Sequence, residues 1–255
     1  MERNKELESY RQAINTAMDA ISKEIDSIAR AAKPIAEAVA RDELIHVVGP
    51  GGHSNMAVEE TFWRAGGFAC INAILDPGTN LIHGGARSMA IERTPGYAIS
   101  VMNAYRVGLK PGEVLIIANA YGVNSMCLDF ALEARKRKMT TIAITSRSFA
   151  DNLPKDHAAR HPSKKNLYQE VDYFLDNHLP WGDAIVEVEG TDRKMGPTST
   201  FCNVFTINLL MIEAAKAMIA IGVEPPLFVS GNMPGGDAAC KPLIDKYVPR
   251  VKHLM

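Results

Sequence analysis

The segment VLIIANAYGVNSMCLDFALEARKRKM (Val114–Met139) indicates the class of fold. It begins with a short apolar run typical of a buried strand and ends with apolar and charged residues at helical spacing. A short polar loop, Asn119–Asn124, joins the two. Loops that lead from a strand into a helix N-terminus often bind anions, commonly with the help of Ser or Thr hydroxyls. Here amides and a phenol replace those hydroxyls, and the first hydroxyl on the helix side belongs to Ser125.

The composition is that of an ordinary globular protein. The 255 residues are 47% hydrophobic and 22% charged, with a formal net charge of -1. A chain of this size can bury one large α/β core, with or without helical additions. The near-neutral charge gives no electrostatic reason to expect nucleic acid or an anionic membrane surface as a partner.

Several features of the sequence favour a cytoplasmic location. The first residues, MERNKELESYRQ, are charged at once, so no signal peptide is predicted. No uninterrupted apolar run approaches the roughly 20 residues that span a membrane. The four cysteines are widely spaced without a CxxC pair, and neither they nor the histidines have zinc-site spacing. We therefore expect reduced, buried thiols, no bound metal and no membrane insertion.

Strand and helix patterns alternate from about residue 42 onward. Short apolar runs predict strands at 44–48, 68–74, 114–118, 140–145, 173–176 and 184–188. Alternation with helices predicts a three-layer, doubly wound parallel β-sheet with helices on both faces. Ligands of such sheets bind beyond the C-terminal ends of the strands.

Residues 1–41 precede the first strand and are predicted to be helical. Apolar residues at helical spacing predict one long amphipathic helix over Glu2–Arg30, and a second short helix follows Pro34. Helices in this position pack either on their own sheet or on a neighbouring subunit. We therefore divide the chain into an N-terminal helical extension, residues 1–41, and an α/β domain, residues 42–255, that ends in a C-terminal helix.

Two long polar segments lack clear periodicity. They span Asp76–Thr94 and Ser146–Lys165. Loops of this length are uncommon in compact domains and often carry function. The second segment is basic, and it is equally consistent with a lid over an anionic ligand and with a solvated loop.

Two short segments of the chain resemble each other. GHSNMAVE (Gly52–Glu59) and GVNSMCLD (Gly122–Asp129) align without a gap, and each follows a strand and begins a helix. A third polar helix start lies at Thr198–Thr200. If the three N-termini face one crevice, their free N–H groups would favour a bound anion. Helix capping explains each start equally well on its own, and so short a match can arise by chance.

Four segments together resemble the SIS (sugar isomerase) domain family, in particular its single-domain, phosphoheptose-isomerase-like branch. They are GPGGHSNMAVEETFWRAGG, LIIANAYGVNSMCLDFALEARKRKMTTIAITS, RHPSKKNLYQEVDYFLDN and KMGPTSTFCNVFTINLLM. The resemblance covers about residues 42–221. It implies a parallel sheet of about five main strands, assembly as a homodimer or homotetramer, and a phosphosugar ligand. Family members include isomerases, ether-cleaving enzymes and ligand sensors.

The resemblance also implies three ligand-binding elements, at Gly49–Ser54, at Asn119–Asn124 and at Thr198–Thr200. The substrate-binding candidates are Gly51, Gly52, His53, Ser54, Asn119, Tyr121, Gly122, Asn124, Ser146, Thr198 and Ser199. Where the family usually has two serines in the second loop, this chain has Asn119 and Tyr121. We therefore expect selectivity to have moved away from the usual phosphosugar, toward an unphosphorylated or differently charged sugar.

Three residues are candidates for catalysis. Aldose–ketose isomerisation through an enediol needs an acid–base pair with pKa values near neutrality. Glu60 follows the first loop and is preferred to its neighbour Glu59, while His83 and Glu92 lie in the first long polar segment. Each also has an ordinary explanation, as a solvated helix acid, a surface histidine, or the partner of Arg93 in an ion pair.

The leading hypothesis is a homo-oligomeric SIS-type isomerase that acts on a sugar phosphate or a similarly acidic sugar. No cofactor is expected, because the Gly49–Gly52 run lacks both the Walker sequence and the spacing of the dinucleotide-binding glycines. Two alternatives stay open: a non-catalytic sugar-binding or sensing protein, and a sugar lyase or etherase.

Overall fold

The computed structural model describes residues 4–254 and has a mixed α/β architecture. Its helices are α1 (Lys5–Ser22), α2 (Ile25–Ala40), α3 (Asn55–Thr61), α4 (Gly85–Glu92), α5 (Tyr97–Ala104), α6 (Ser125–Lys136), α7 (Arg147–Asn152), α8 (Ser199–Ala220) and α9 (Gly236–Tyr247). Its strands are β1 (Ile45–Val48), β2 (Ile71–Ile74), β3 (Val114–Ala118), β4 (Thr140–Thr145), β5 (Tyr173–Asp176), β6 (Ala184–Val186) and β7 (Met195–Pro197).

Five of these strands form the predicted parallel sheet. Their order is β2-β1-β3-β4-β5, and every neighbouring pair is parallel. All residues of β1, β2 and β3 are buried, which explains why these strands read as continuous apolar runs. The chain order reverses between β1 and β3, and this switch point creates a crevice beyond their C-terminal ends.

Helices cover both faces of the sheet and confirm the three-layer, doubly wound fold. On one face, side chains such as Val47 and Ile116 belong to a core that also includes residues of α2 and α8. On the other face, Leu115 and Ile117 belong to a core with Met102 of α5 and side chains of α6. The strands β1 and β3 thus bury their two sets of side chains against different helices.

The N-terminal region differs in detail from the prediction. Helix α1 ends at Ser22, and Pro34 lies inside α2 rather than before a separate helix. A proline in a helix interior removes one hydrogen bond. Burial of one face of α2, including Ile28 and Ile35, offsets this loss. Positions 2 and 3 of the predicted helix lie outside the described residues.

Both N-terminal helices pack within their own chain. Helix α2 contacts α8 and strands of the sheet, and α1 contacts α8 and β6. The sequence allowed these helices to pack either on their own sheet or on a neighbouring subunit, and in this structure they contact elements of their own chain. The division at residues 41 and 42 stays a prediction.

Three further predictions of secondary structure are corrected. The segment Asp76–Thr94 contains α4, and Ser146–Lys165 contains α7. The buried part of α4 is confined to Ser88, so this helix has no apolar stripe for a sequence pattern to detect. The strand predicted at 184–188 does not join the main sheet, because β6 pairs antiparallel with β7.

Helix α8 is long and predominantly apolar. Among the described residues it is the one helix whose length and composition would allow it to cross a membrane. Core helices of soluble proteins share these properties, so this is weak evidence for a membrane span. In this fold α8 packs against α2, and its residues Ile207, Leu210 and Ala214 are fully buried.

Candidate functional site

A cavity of about 390 Å³ lies at the switch point of the sheet. Its walls come from the loops that follow β1 and β3, from the end of α4, and from the start of α8. The sequence-predicted residues in these walls are Gly51, Gly52, His53, Ser54, Glu92, Asn119, Tyr121, Asn124 and Ser199. Adjacent parallel strands end at the same edge, so segments that are distant in sequence meet here. Their contact with a substrate stays a prediction.

The first loop, Gly49–Ser54, turns tightly before α3. A Cβ added at Gly49 would collide with the backbone carbonyl of Ser54, so the turn requires glycine at this position. A Cβ added at Gly51 would lie 2.6 Å from Oε2 of Glu92, which shows how closely that carboxyl approaches the loop. The Ser54 hydroxyl does not cap α3, and it faces the cavity.

The second loop is tied to the first by two amides. The Nδ2 atoms of Asn119 and Asn124 donate to the carbonyl of Pro50, at 2.7 Å and 2.9 Å. Both side chains are buried. These hydrogen bonds hold the two loops together across the switch point, and they explain why amides suit positions where hydroxyls were expected.

The other ends of these amides bind backbone groups of the second loop. Oδ1 of Asn119 accepts from the N–H groups of Gly122 at 2.8 Å and Tyr121 at 3.3 Å. Oδ1 of Asn124 accepts from the N–H of Cys127 at 2.9 Å and so caps α6. The capping explanation therefore holds for Asn124. Asn119 stabilises the turn itself.

Gly122 is a predicted ligand-binding residue that does not line the cavity. It is buried with φ of 63°, and a Cβ at this position would collide with the side chain of Thr145. Its N–H donates to Asn119, and its carbonyl accepts from Leu167 at 2.8 Å. The structural requirement at this position is a left-handed turn in a confined space.

The third polar helix start is capped by a residue that the sequence analysis missed. Oδ1 of Asp183 accepts from the N–H groups of Thr198 at 2.8 Å and Ser199 at 2.7 Å, and its Oδ2 accepts from the Ser199 hydroxyl at 2.9 Å. The carboxylate thus occupies the N-terminus of α8, where a negative charge is favoured. Thr198 is buried behind it and does not line the cavity.

Glu92 is the predicted catalytic residue that the structure brings into the cavity. Its carboxyl is half-buried in the wall beside the first loop. Burial raises the pKa of Glu92 to about 7, although the charge of Arg93 and a hydrogen bond from the Gly52 backbone act in the opposite direction. A carboxyl with a pKa near neutrality can both accept and return a proton at physiological pH.

The structure corrects the expected positions of Glu60 and Ser146. Helix α3 ends at Thr61, so Glu60 is in its last turn, where it pairs with Arg64 at 2.7 Å and accepts from Asn208 at 3.1 Å. It lies outside the cavity wall. Ser146 is buried, and its hydroxyl caps α7 by accepting from the N–H of Phe149 at 3.1 Å.

His83 is also outside the cavity. It ends a short 3₁₀ turn, Leu81–His83, and its side chain is exposed. The flanking Gly84 adopts φ of 115°, which turns the chain away from the crevice and into α4. The sequence pattern placed His83 and Glu92 in one loop, but α4 separates them.

Several wall residues carried little or no signal in the sequence. They are Arg93, Phe149, Leu153, His157, Asp183, Pro197, Thr200 and Asn203. His157 belongs to the basic segment that was considered as a lid, and Thr200 belongs to the third helix start. Asp183 and Phe149 could not be anticipated, because isolated residues of these types have no pattern that links them to a distant loop.

The rings of Tyr121 and Phe149 stack in the wall of the cavity, and Trp181 extends the stack beyond it. Tyr121 lies parallel to Phe149 with ring centroids 3.9 Å apart, and Phe149 stacks on Trp181 at 4.7 Å. Burial raises the pKa of Tyr121 to about 12, and the charges of Asp183 and Glu92 act in the same direction. The phenol therefore stays neutral and can serve as a hydrogen-bond donor.

Comparison with protein-family models assigns the chain to a family. The profile described as the SIS domain matches residues 9–146, which is more than half of the chain. The chain belongs to the SIS domain family. The match contains both of the bridged loops and Glu92. It also begins within the region that the sequence analysis treated as an N-terminal extension.

Relatives of this SIS domain protein match it along nearly its whole length. A UPF0309 protein of Caldanaerobacter subterraneus subsp. tengcongensis is 36% identical over 253 residues, which are 97% of this chain and 100% of the relative. A UPF0309 protein of Geobacillus thermodenitrificans is 34% identical over 250 residues, 98% of each chain.

A solved structure shares the SIS fold. A phosphoheptose isomerase from Francisella tularensis superimposes with a TM-score of 0.53 at 16% sequence identity, covering 85% of this chain and 100% of that one. At this level of identity the similarity extends to the fold alone.

The four cysteine thiols are shielded from solvent. All four cysteines are free and buried. Burial raises the pKa of Cys70 and of Cys202, which makes their thiolates scarce near neutral pH. Within residues 4–254, no group of three or more His, Cys, Asp or Glu side chains is arranged to hold a metal ion.

Proposed function

We propose that this SIS domain protein is a sugar isomerase that interconverts aldose and ketose forms by enediol proton transfer. The observation that carries the proposal is the carboxyl of Glu92 in the cavity wall, where burial raises its pKa to about 7. Catalytic bases are most effective when their pKa lies near the working pH. Membership of the SIS family supports the same class of reaction.

The chemistry requires one base and a means of stabilising charge on oxygen. The Glu92 carboxylate would take the proton from the carbon next to the carbonyl and return it to the former carbonyl carbon. The carbonyl oxygen gains a proton as the enediol forms, and the neighbouring hydroxyl oxygen loses its proton as the enediol collapses, so the two oxygens exchange carbonyl and hydroxyl character. His53, Ser54 and Arg93 lie in the same cavity and offer hydrogen-bond donors to the oxygen on which negative charge develops.

The size of the cavity suits a small polar substrate. A volume of about 390 Å³ is within the range of small-molecule sites. The SIS resemblance by itself favours a sugar phosphate or a similarly acidic sugar. Deuterium exchange tests the class of reaction, and comparison of each sugar with and without a phosphate group tests the charge of the substrate.

Incubation with a panel of sugars in D₂O tests the reaction. We expect incorporation of deuterium at the carbon next to the carbonyl of at least one aldose or ketose, with appearance of its isomer, both measured by NMR. The panel contains each sugar with and without a phosphate group. Binding of a sugar without deuterium exchange would contradict the proposal and support the sensing alternative, and elimination products would support the lyase alternative.

We further propose that the protein assembles as a homodimer or homotetramer through the outer face of α8. Ile212 and Ile219 are seven positions apart on this helix and are 56% and 66% exposed.

Changing both Ile212 and Ile219 to lysine is expected to reduce the molar mass measured by light scattering to that of a monomer. The control is Ile82→Lys, because Ile82 is 83% exposed but lies away from α8. A monomeric wild-type protein would contradict this proposal.

A further inference from the structure

We infer that the cavity selects a sugar without a phosphate group, because protein oxygens already accept hydrogen bonds from N–H groups of the second loop and of the start of α8. The inference rests on the proposed function of the same cavity and narrows its substrate class. Asn119 and Asp183 are the specificity-determining residues, and Tyr121 reinforces their effect. Asn119 and Tyr121 lie in the second loop, and Asp183 lies at the start of α8.

In the second loop, Asn119 occupies the place of an anion. Its Oδ1 accepts from the N–H groups of Gly122 at 2.8 Å and of Tyr121 at 3.3 Å. A phosphate oxygen bound by the same N–H groups would have to displace this amide. The displaced amide would also lose its hydrogen bond to the Pro50 carbonyl, which joins the two loops. A buried amide without partners is costly, so the loop resists this exchange.

At the start of α8, Asp183 occupies the anion position with a full charge. Its two oxygens accept from the Thr198 and Ser199 N–H groups and from the Ser199 hydroxyl. A phosphate dianion in the cavity would therefore meet a carboxylate at the helix end that could otherwise attract it. Hydroxyl groups of a neutral sugar can instead donate to the same carboxylate.

Tyr121 changes the shape and polarity of the remaining wall. Its ring stacks on Phe149 in the cavity wall, so the position of an expected serine carries an aromatic ring in place of a small hydroxyl group. A phosphate beside these rings loses hydration without compensation. The neutral phenol can donate one hydrogen bond to a sugar hydroxyl.

Cations are confined to the rim of the cavity. Arg93 and His157 line it but are exposed to solvent. Salt and water screen charges in such positions, so they give a phosphate at the rim only weak attraction. The interior offers acceptors on Glu92 and Asp183 together with the hydroxyls of Ser54 and Thr200. This combination suits a polyhydroxy sugar.

The test restores the hydroxyls that are usual in the family. Inorganic phosphate is titrated by calorimetry into the wild type, into Asn119→Ser/Tyr121→Ser, and into Tyr121→Ser alone. We expect phosphate to bind the double variant at least about tenfold more tightly than the wild type. The single variant is the matched control, since Asn119 still occupies the N–H groups, and it is expected to gain much less affinity for phosphate than the double variant.

Two outcomes would overturn the inference. One is a folded double variant, verified by circular dichroism, that gains no affinity for phosphate. The other is a wild type that exchanges deuterium faster with sugar phosphates than with the matching unphosphorylated sugars. The second measurement does not depend on any variant folding. Absence of exchange with every sugar would instead contradict the isomerase proposal, and the phosphate titration would still decide the present inference.

Discussion

Replacing Glu92 with glutamine is expected to slow deuterium exchange by a factor of about 10² to 10⁴, which is the usual contribution of a positioned acid–base group. Glutamine has nearly the same shape and still accepts a hydrogen bond, but it cannot take up a proton. The rate is measured by NMR in D₂O with a sugar that the wild type exchanges. Ligand binding, measured separately by calorimetry, should change little.

Glu60→Gln is the matched control for this prediction. Glu60 is also a glutamate near the first loop, but it pairs with Arg64 outside the cavity. We expect its variant to keep the wild-type rate. The opposite result, with Glu60→Gln inactive and Glu92→Gln active, would show that the base is Glu60, another of the three candidates from the sequence.

The pH dependence of the reaction follows from the same carboxyl. Because burial raises the pKa of Glu92 to about 7, the ionised base becomes available as the pH rises through that value. The wild-type exchange rate should therefore increase between about pH 6 and pH 8. The residual rate of Glu92→Gln should lack this dependence. A wild-type rate that is flat over this range would contradict the assignment of Glu92 as the base.

Stability provides a check that does not require a substrate. The ordinary pKa of the Glu92 carboxyl is 4.5, and in the folded protein it is about 7, so the folded state binds the proton more tightly. The free energy of unfolding therefore decreases as the pH rises from about 4.5 to 7. Glu92→Gln removes this loss, and it should be more stable than the wild type by up to about 2 kcal/mol at pH 8 but not at pH 4. Urea unfolding at the two pH values measures the difference.

Gly49→Ala is expected to have the largest effect on the architecture of the site. A Cβ at Gly49 would collide with backbone atoms of Ser54 and Asn55, which cannot move without shifting the start of α3. We expect the free energy of unfolding to fall by about 1–3 kcal/mol or more, and ligand binding to be lost. Urea unfolding and calorimetry measure the two effects.

Gly85→Ala is the control for this substitution. Gly85 begins α4, and a Cβ at this position would meet nothing within 4 Å. Alanine in a helix is usually more favourable than glycine, by about 0.5–1 kcal/mol. Gly85→Ala should therefore be neutral or stabilising. Equal losses of stability in both variants would mean that the tight turn of the first loop is not the cause.

The architecture was predictable because its signals are local. The strands β1, β3 and β4 are apolar runs buried on both faces, and such runs are compatible with few structures other than a covered parallel sheet. The predictions failed where local signals were weak or were outweighed. Burial of α2 tolerates Pro34, and α4 lacks an apolar stripe. In both cases tertiary packing decided the outcome.

The candidate site was predictable only in part. The two loops that resemble each other in sequence follow adjacent strands, so their meeting at one crevice could be anticipated. The orientation of individual side chains could not. Glu60 and Glu92 are both glutamates close to loops, and only the end of α3 at Thr61 and the position of α4 direct one away from the cavity and the other into it.

By itself, the sequence determined the layered fold, the SIS family and the edge of the sheet at which the loops meet. These depend on runs of neighbouring residues, whose hydrophobicity and turn chemistry act locally. The tertiary structure alone decided which side chains accept hydrogen bonds from the N–H groups of the second loop and of the start of α8. Asn119 reaches Pro50 across 69 residues, and Asp183 caps α8 from 15 residues away. Hydrogen bonds between such distant groups exist only after folding brings the strand ends together, so no local pattern contains them.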